Sequence, residues 1–424
     1  MLFVVPYAPT RIRTRPFHLI RGLSAQGHRV TVGTTWSGRD DRSAVEEGGG
    51  NGAHAVVAEH LPRARSAWNC ARALLTADPL QAHYSWSPSL SARLAELVDS
   101  TSFDVIHVEH LRGARYGLAL ATGTRQHGSR HPPVFWDSVD CISSLFRRAW
   151  QQSESRRVRL AARLELRRTE RYEGRMLRRF DHVLVTSDAD RRDLLALAER
   201  QDAHGPVGRV DVLPNGVDLE YFTPADRPRQ PMTLVVTGKM SYHANATAVI
   251  RFVTAVMPAV WATWPETRLM IVGKDPPREV VRLGDASGWS PASNPHALTG
   301  ARAGRRVVVT GTVDDIRPFL RCATLAIAPI QYGVGIQNKV LEALACGTPV
   351  VATREATSAL AAQPGRDLIV VETPGELARA IGTLLGDADR QRQLGLAGRT
   401  FVERHHSWAG AAARLAEIYV EAIG

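Results

Sequence analysis

"QYGVGIQNKVLEALACGTPVVAT", residues 331 to 353, carries an order of residues that core packing does not call for. Glycines come first, then Asn338, Lys339 and Glu342, then Gly347-Thr348-Pro349 ahead of a run of valines. The preceding "CATLAIAPI" reads as a strand, residues 331 to 336 as a loop holding Gly333 and Gly335, and "QNKVLEALAC" as a helix. Gly347 falls at the helix C′ position and Pro349 two residues later. A glycine-permitted loop entering a helix leaves several backbone N–H groups unpaired for an anion, which the helix dipole also favours. Lys339 in the first turn opposes that dipole, a placement that makes sense with an anion in between. Glu342 follows on the same face, and a carboxylate suits a vicinal diol such as a ribose rather than a phosphate. The group reads as phosphate at the helix tip and ribose one turn in. The same spacing also fits a Lys–Glu pair on an ordinary surface helix, worth a few tenths of a kcal/mol.

Working outward, "LVVTGKMSYHANA" ends a strand at Gly238 and sets Lys239 at its carboxyl end. Two lysines on one diphosphate would offset the charge of a departing nucleoside diphosphate; a solvated loop lysine is the plain alternative. Of 53 basic residues only Lys239, Lys274 and Lys339 are lysine, so arginine does the generic surface work.

The chain of 424 residues is too long for one ordinary core, so two domains are expected. In the N-terminal half "LFVVPY", "RVTVGT", "AHAVVA", "FDVIHVEH", "PPVFWDS" and "FDHVLVTS" are strands separated by helical patterns. In the C-terminal half "MTLVVTGKM", "TRLMIVGK", "RVVVTGTV", "TLAIAPI" and "TPVVAT" repeat the scheme. Strand and helix in alternation predict an α/β fold with parallel sheets covered on both faces. The prolines between 223 and 231 place the link. The expected division is 1–225, 226–400 and a C-terminal helix over 401–424 that packs back on the N-terminal domain. Residues 285–304, rich in Gly, Ser and Pro, read as a surface insertion. Ligands of such sheets lie beyond the strands' carboxyl ends, and a cleft between two facing domains is the default site.

Net charge is +11, which suggests phosphorylated substrates, polyanions or an anionic membrane as partners. Nucleic acid is a poor fit, because arginines and acids interleave and no reader motif appears. Cys70, Cys141, Cys322 and Cys346 are scattered without a CxxC, which fits reduced thiols and no zinc site. The longest apolar runs are short of the roughly 20 residues of a membrane span, and "MLFVVPYAP" reads as a strand rather than a signal peptide. A cytoplasmic location is expected, with the inner face of a membrane as a variant of it. Residues 147 to 179 hold twelve arginines among four glutamates. They are either a face for anionic lipid or a solvated, salt-bridged helix.

These motifs resemble the GT-B retaining glycosyltransferases of family GT4, and most of all bacterial sugar transferases with "GIQNKVLEAMA". The matching pieces are "LPNGVDLEYF", "VVTGKMSYHANATAVIRFVTAVMP", "IVGKDP", "GTVDDIRPFL" and "GVGIQNKVLEALACGTPVVAT", over roughly residues 100 to 424. "PTRIRTRPFHLIRGLSAQGHRVTV" extends the likeness loosely to the start. The resemblance implies two Rossmann-like doubly wound domains facing across a cleft. It implies a UDP- or GDP-linked sugar on the C-terminal one, with Glu342 on the ribose, Lys239 on the diphosphate and Gly238, Gly335, Ile336 and Gln337 about the donor. Two departures stand out. A second glutamate common in the family is Val334 here, and a lysine common after the Gly-Lys step is replaced by His243 and Asn245, with Lys339 as a candidate to supply the charge.

The N-terminal domain should hold the acceptor, a hydroxyl compound that could be lipid-linked or anionic. Arg11, Arg13 and Arg15 lie on a loop after the first strand, and His107, Glu109 and His110 end another. Asp137, after "FW", is expected to touch the reacting sugar or acceptor, although it could equally cap the next helix. No Asp-x-Asp stands at a plausible site, so retaining transfer without a metal or other cofactor is expected, with Lys239 and Lys339 on the leaving diphosphate. A UDP-sugar 2-epimerase of the same architecture and a non-catalytic nucleotide-sugar-binding subunit are the alternatives.

Overall fold

The structure, a computed structural model, describes the chain apart from residues 11–12, 47–51, 124–131, 154, 202–204, 285–305 and 333–334. Arg11, Glu154, Gly333, Val334 and the 285–304 insertion therefore lie outside the described residues. The chain forms two compact units, Met1–Asn215 with Trp408–Gly424, and Gly216–Ser407. The proline-rich residues 223 to 231 fall inside the second unit. Residues 401 to 407 belong to it as well, and the helix Trp408–Ile423 belongs to the first.

Among its described residues the first unit holds seven parallel strands: β1 (Leu2–Val5), β2 (Thr31–Trp36), β3 (Ala55–His60), β4 (Ile106–Glu109), β5 (Val134–Val139), β6 (His182–Val185) and β7 (Arg209–Val212). Their order is β3-β2-β1-β4-β5-β6-β7. β1 and β4 are buried from end to end and β5 up to its last residue, as near-continuous apolar runs require when helices cover both faces. Phe3, Phe135 and Trp136 are fully buried, and each such side chain contributes about 1.5–3 kcal/mol through lost apolar exposure. The C-terminal helix turns Trp408, Ala412, Leu415, Ile418 and Tyr419 inward, an i, i+4, i+7 stripe. It lies so close to the helix Thr14–Ala25 that a Cβ on Gly22 would come within 2.5 Å of the Ala412 Cβ.

The second unit repeats the plan with β8 (Thr233–Thr237), β9 (Arg268–Val272), β10 (Val307–Gly311), β11 (Leu325–Ala328), β12 (Val350–Thr353) and β13 (Ile369–Val371), in the order β10-β9-β8-β11-β12-β13. The helix Asn338–Ala345 ends as its sequence predicts. Gly347 has φ +64°, its N–H donates to the Leu344 carbonyl, and the Thr348 N–H donates to Ala343, a Schellman motif. Arg229 seals the remaining carbonyls nearby, donating to Leu320, Arg321, Ala323 and Cys346 and to the Thr348 hydroxyl. The long apolar helical stretch His243–Thr263 has the length and hydropathy of a membrane span, but Val249, Phe252, Val256 and Val260 on it pack into this unit's core.

Candidate functional site

In each sheet the strand order reverses once, and the chain there leaves two neighbouring strands toward opposite faces, which opens a crevice at their carboxyl ends. In the second unit this switch lies between β8 and β11. Lys239 follows β8, and the loop that leads to Asn338 follows β11. The two lysine-bearing segments are thus the pair that flank the switch.

Side-chain geometry ties them together. The Lys339 ammonium donates to Asn245 Oδ1 at 2.6 Å, and the Asn245 amide nitrogen donates to the Lys239 carbonyl at 2.9 Å. A Cβ on Gly238 would stand 3.4 Å from the Lys339 Nζ and 3.0 Å from the Asn245 amide. Gly238 has φ +151°, and Gly273 at the end of β9 approaches so closely that its Cβ would collide with the Gly238 carbonyl at 1.7 Å. Backbone without side chains therefore borders the ammonium. Lys239 itself turns an exposed side chain outward with no hydrogen-bond or ion-pair partner among the described residues.

Glu342 stands one turn along the same helix, partly buried, and among the described residues its carboxylate has no hydrogen-bond partner and no ion pair to Lys339. Burial pushes its carboxyl up to about 7, against the pull of Lys339. Burial lowers Lys339 to about 8, against the pull of Glu342. Two opposite charges are held close enough to couple, yet neither satisfies the other. Ile336 puts its side chain into the core, so only its backbone can meet a ligand. Gly335 has φ +65°, and the Gln337 side chain at the N-cap makes no capping hydrogen bond.

In the first unit the switch lies between β1 and β4. Here the structure corrects three expectations. Asp137 is fully buried and gripped by Arg15 through two bonds, Nε at 2.8 Å and Nη2 at 3.1 Å. The other arm of Arg15 donates to the Leu213 carbonyl and the Asn215 side chain. Burial alone would raise the Asp137 carboxyl, but Arg15 and His107 hold it down at about 2. His107 is buried too, between Asp137 at 3.5 Å and the Tyr419 hydroxyl at 2.7 Å. Asp137, Arg15 and His107 are therefore internal struts with no surface left for a sugar. His107 and Asp137 lie inside β4 and β5 and Arg15 in the first turn of the helix Thr14–Ala25, whereas the sequence alone reads all three as groups at or after strand ends.

Arg13 stays half-exposed, its guanidinium 4.7 Å from the Tyr7 ring centroid, with Nη1 donating to the Ala8 carbonyl and 3.3 Å from Asp41. His110, at φ +62°, is lowered by burial to about 4 and is neutral at ordinary pH. Glu109 accepts from the Tyr7 hydroxyl at 3.0 Å, and burial together with Asp137 pushes it up to about 8. The sequence pointed to Asn245 only as a departure, not as the side chain that positions Lys339. A glycine closing each of "VVTG", "IVG" and "VVTG" was the available sign of the bare backbone at the ends of β8, β9 and β10.

Residues 231–387 match the family model described as "Glycosyl transferases group 1", and residues 14–221 match "Glycosyltransferase Family 4". The chain is 27% identical over 264 residues to D-inositol 3-phosphate glycosyltransferase 2 of Catenulispora acidiphila, covering 57% of this chain and 56% of that protein. It is likewise 27% identical over 254 residues to alpha-maltose-1-phosphate synthase of Mycolicibacterium smegmatis, covering 56% and 62%. These matches span less than two thirds of each relative's own length. Sucrose-phosphate synthase from Thermosynechococcus elongatus superposes with a TM-score of 0.65 at 18% identity, covering 99% of this chain and 98% of that one. Anabaena HepE, solved with UDP and glucose, gives 0.63 at 13% identity with 99% of both chains covered. At such identities the structural likeness speaks for the fold.

Proposed function

We propose, because this chain belongs to the group 1 glycosyltransferases of GT-B fold, that it moves a sugar from a nucleotide-diphosphate sugar to a hydroxyl acceptor. The observation that carries the reading is the chain of bonds from the Lys339 ammonium through Asn245 to the Lys239 carbonyl, which ties the helix tip to the end of β8 at one switch point beside bare glycine backbone. A diphosphate placed there meets Lys239, Lys339 and the helix start, and Glu342 is left to accept from the ribose diol. UDP is the favoured nucleotide, since HepE is a structural neighbour solved with UDP and with UDP-glucose.

In the proposed reaction the bond from the sugar's anomeric carbon to the diphosphate oxygen breaks, and a bond to the acceptor oxygen forms on the same face. The acceptor proton passes to a donor phosphate oxygen. The ammonium groups stabilise the charge gathering on the leaving diphosphate, so no divalent ion or other cofactor is required. The acceptor is assigned to the first unit. Arg13 is its half-exposed cation, and relatives named for D-inositol 3-phosphate favour an anionic polyol. His110 is neutral there and serves as a hydrogen-bond partner rather than a charge. The proposed setting is the cytoplasmic side of a membrane, touched by the arginine-rich residues 147 to 179.

Thermal shift with UDP-, GDP-, ADP- and TDP-sugars tests the donor. UDP-sugars should raise the melting temperature of the native protein and raise that of Glu342→Ala much less at the same concentration. Equal binding by that variant would remove the assignment. Incubation with donor alone separates the epimerase alternative, which yields an isomerised sugar nucleotide without an acceptor.

A further inference from the structure

The arginine-rich segment divides into two populations. Arg147 pairs with Glu170 at 2.6 Å, Arg168 with Glu165 at 3.2 Å, and Arg175 with Asp78. These act within the fold. Arg156, Arg157, Arg159, Arg163, Arg167 and Arg171, on the helix Arg156–Met176, are exposed and have no ion-pair partner among the described residues. A solvated helix held by internal salt bridges would have used them.

Apolar side chains are exposed among these free cations. Leu160 is 60% exposed and Leu164 65%, two turns and one turn before Arg168 on the same helix face. Arg168 Nη2 donates to the carbonyls of Ala73 at 2.5 Å and Thr76 at 2.7 Å. That bond brings up the turn that ends the helix Arg63–Ala73, where Leu74 is 64% and Leu75 90% exposed. Trp68, 58% exposed, lies one turn before Arg72 on that helix. Two elements distant in sequence thus present leucines and a tryptophan within one arginine rim.

We propose that this patch is the docking surface for an anionic lipid bilayer, which makes the membrane contact proposed above specific to one face. Trp68, Leu74 and Leu75 would enter the headgroup boundary, where an amphipathic aromatic ring and short apolar chains are favoured. The free guanidiniums would bind lipid phosphates, and salt would weaken the contact. A second copy of the chain is a poor occupant, because two identical arginine rims would be pressed together.

Vesicle co-sedimentation tests it with phosphatidylglycerol mixed into phosphatidylcholine, against phosphatidylcholine alone. The full chain should sediment with the anionic vesicles and be released by salt. Leu75→Asp with Leu164→Asp, and separately Arg163→Glu with Arg167→Glu, should each weaken binding about tenfold or more. Unchanged melting temperatures and UDP-sugar shifts in both variants would show that folding and the donor reading are untouched. Equal vesicle binding by the variants would overturn the assignment of this face. A wild-type chain that binds no vesicles would overturn the membrane contact as a whole, with the glycosyl-transfer reading left standing. Self-association lost in Leu75→Asp would give the patch to a second copy and overturn it too.

Discussion

Each unit holds opposite charges at or beside its switch point, and the two treat them in opposite ways. In the first, Asp137 and Arg15 satisfy each other completely, and the guanidinium's remaining donors end on Leu213 and Asn215. In the second, among the described residues, the Glu342 carboxylate has no hydrogen-bond partner, and the Lys339 ammonium has one, the neutral amide oxygen of Asn245. The pKa directions record the contrast. Asp137 is held down at about 2 by its partners, whereas burial pushes Glu342 up to about 7 and Lys339 down to about 8. A buried charge that is fully paired locks a fold in place. A crowded charge left short of partners costs stability until a ligand supplies what is missing.

The sharpest way to break this comparison is to remove half of the first pair. Asp137→Asn leaves the Arg15 charge buried without its counterion and should destabilise the first unit by about 3–5 kcal/mol in urea unfolding. Arg15→Met should do the same from the other side. Combining Arg15→Met with Asp137→Leu should recover most of the loss, because no unpaired charge remains. If Asp137→Asn unfolds like the wild type and instead abolishes sugar transfer, Asp137 belongs to the chemistry and the contrast between the units fails.

Glu342 should respond in the reverse sense. Glu342→Ala is expected to leave urea stability nearly unchanged or raise it, while nucleotide-sugar affinity falls about tenfold to a hundredfold, the loss of hydrogen bonds to a charged acceptor. Glu342→Gln sharpens the point through pH. A carboxyl raised from 4.5 to about 7 on folding gives stability that is present below 4.5 and lost as pH rises through 7. The Gln variant should lack that decline, which unfolding at a series of pH values would reveal.

A smaller effect separates the location of a charge from its presence. Lys339→Met should weaken donor binding roughly tenfold, one charge-assisted contact's worth. Adding Asn245→Lys puts an ammonium back beside Gly238, since Asn245 already touches both Lys339 and the Lys239 carbonyl. Recovery of binding in the double variant, read by calorimetry, would show that the site needs a cation there and not that particular helix position. Failure to recover would confine the requirement to the helix.

Local signals made the second site legible and long-range pairing hid the first. The glycine turns, the i,i+3 spacing of Lys339 and Glu342 and the Gly347 stop are all short-range, so one window of sequence contains them. Asn245 reaches Lys339 across 94 positions, and Arg15 reaches Asp137 across 122. No period or cap encodes such distances, and so Arg15 and Asp137 looked like two free polar groups at strand ends. The fold was readable where strands are buried on both faces. β7 and β13, short and half-exposed at sheet edges, lack the continuous apolar run that marks the others, and they were missed.

The finest test asks which protons move when the donor binds. A diphosphate beside Lys339 favours its charged form, so binding on the alkaline side of about 8 should take up a proton. A ribose diol donating to Glu342 favours the carboxylate, so binding on the acid side of about 7 should release one. The two titrations are coupled, and the measured limbs belong to the pair. The sign of proton exchange should therefore reverse across neutral pH, a fraction of a proton each way, seen by calorimetry in buffers of different ionisation enthalpy. In Lys339→Met the alkaline uptake should vanish and the acid release persist; in Glu342→Gln the reverse should hold. Asp137, already ionised and paired, should contribute nothing at either end, which is the behaviour that separates a strut from a waiting ligand site.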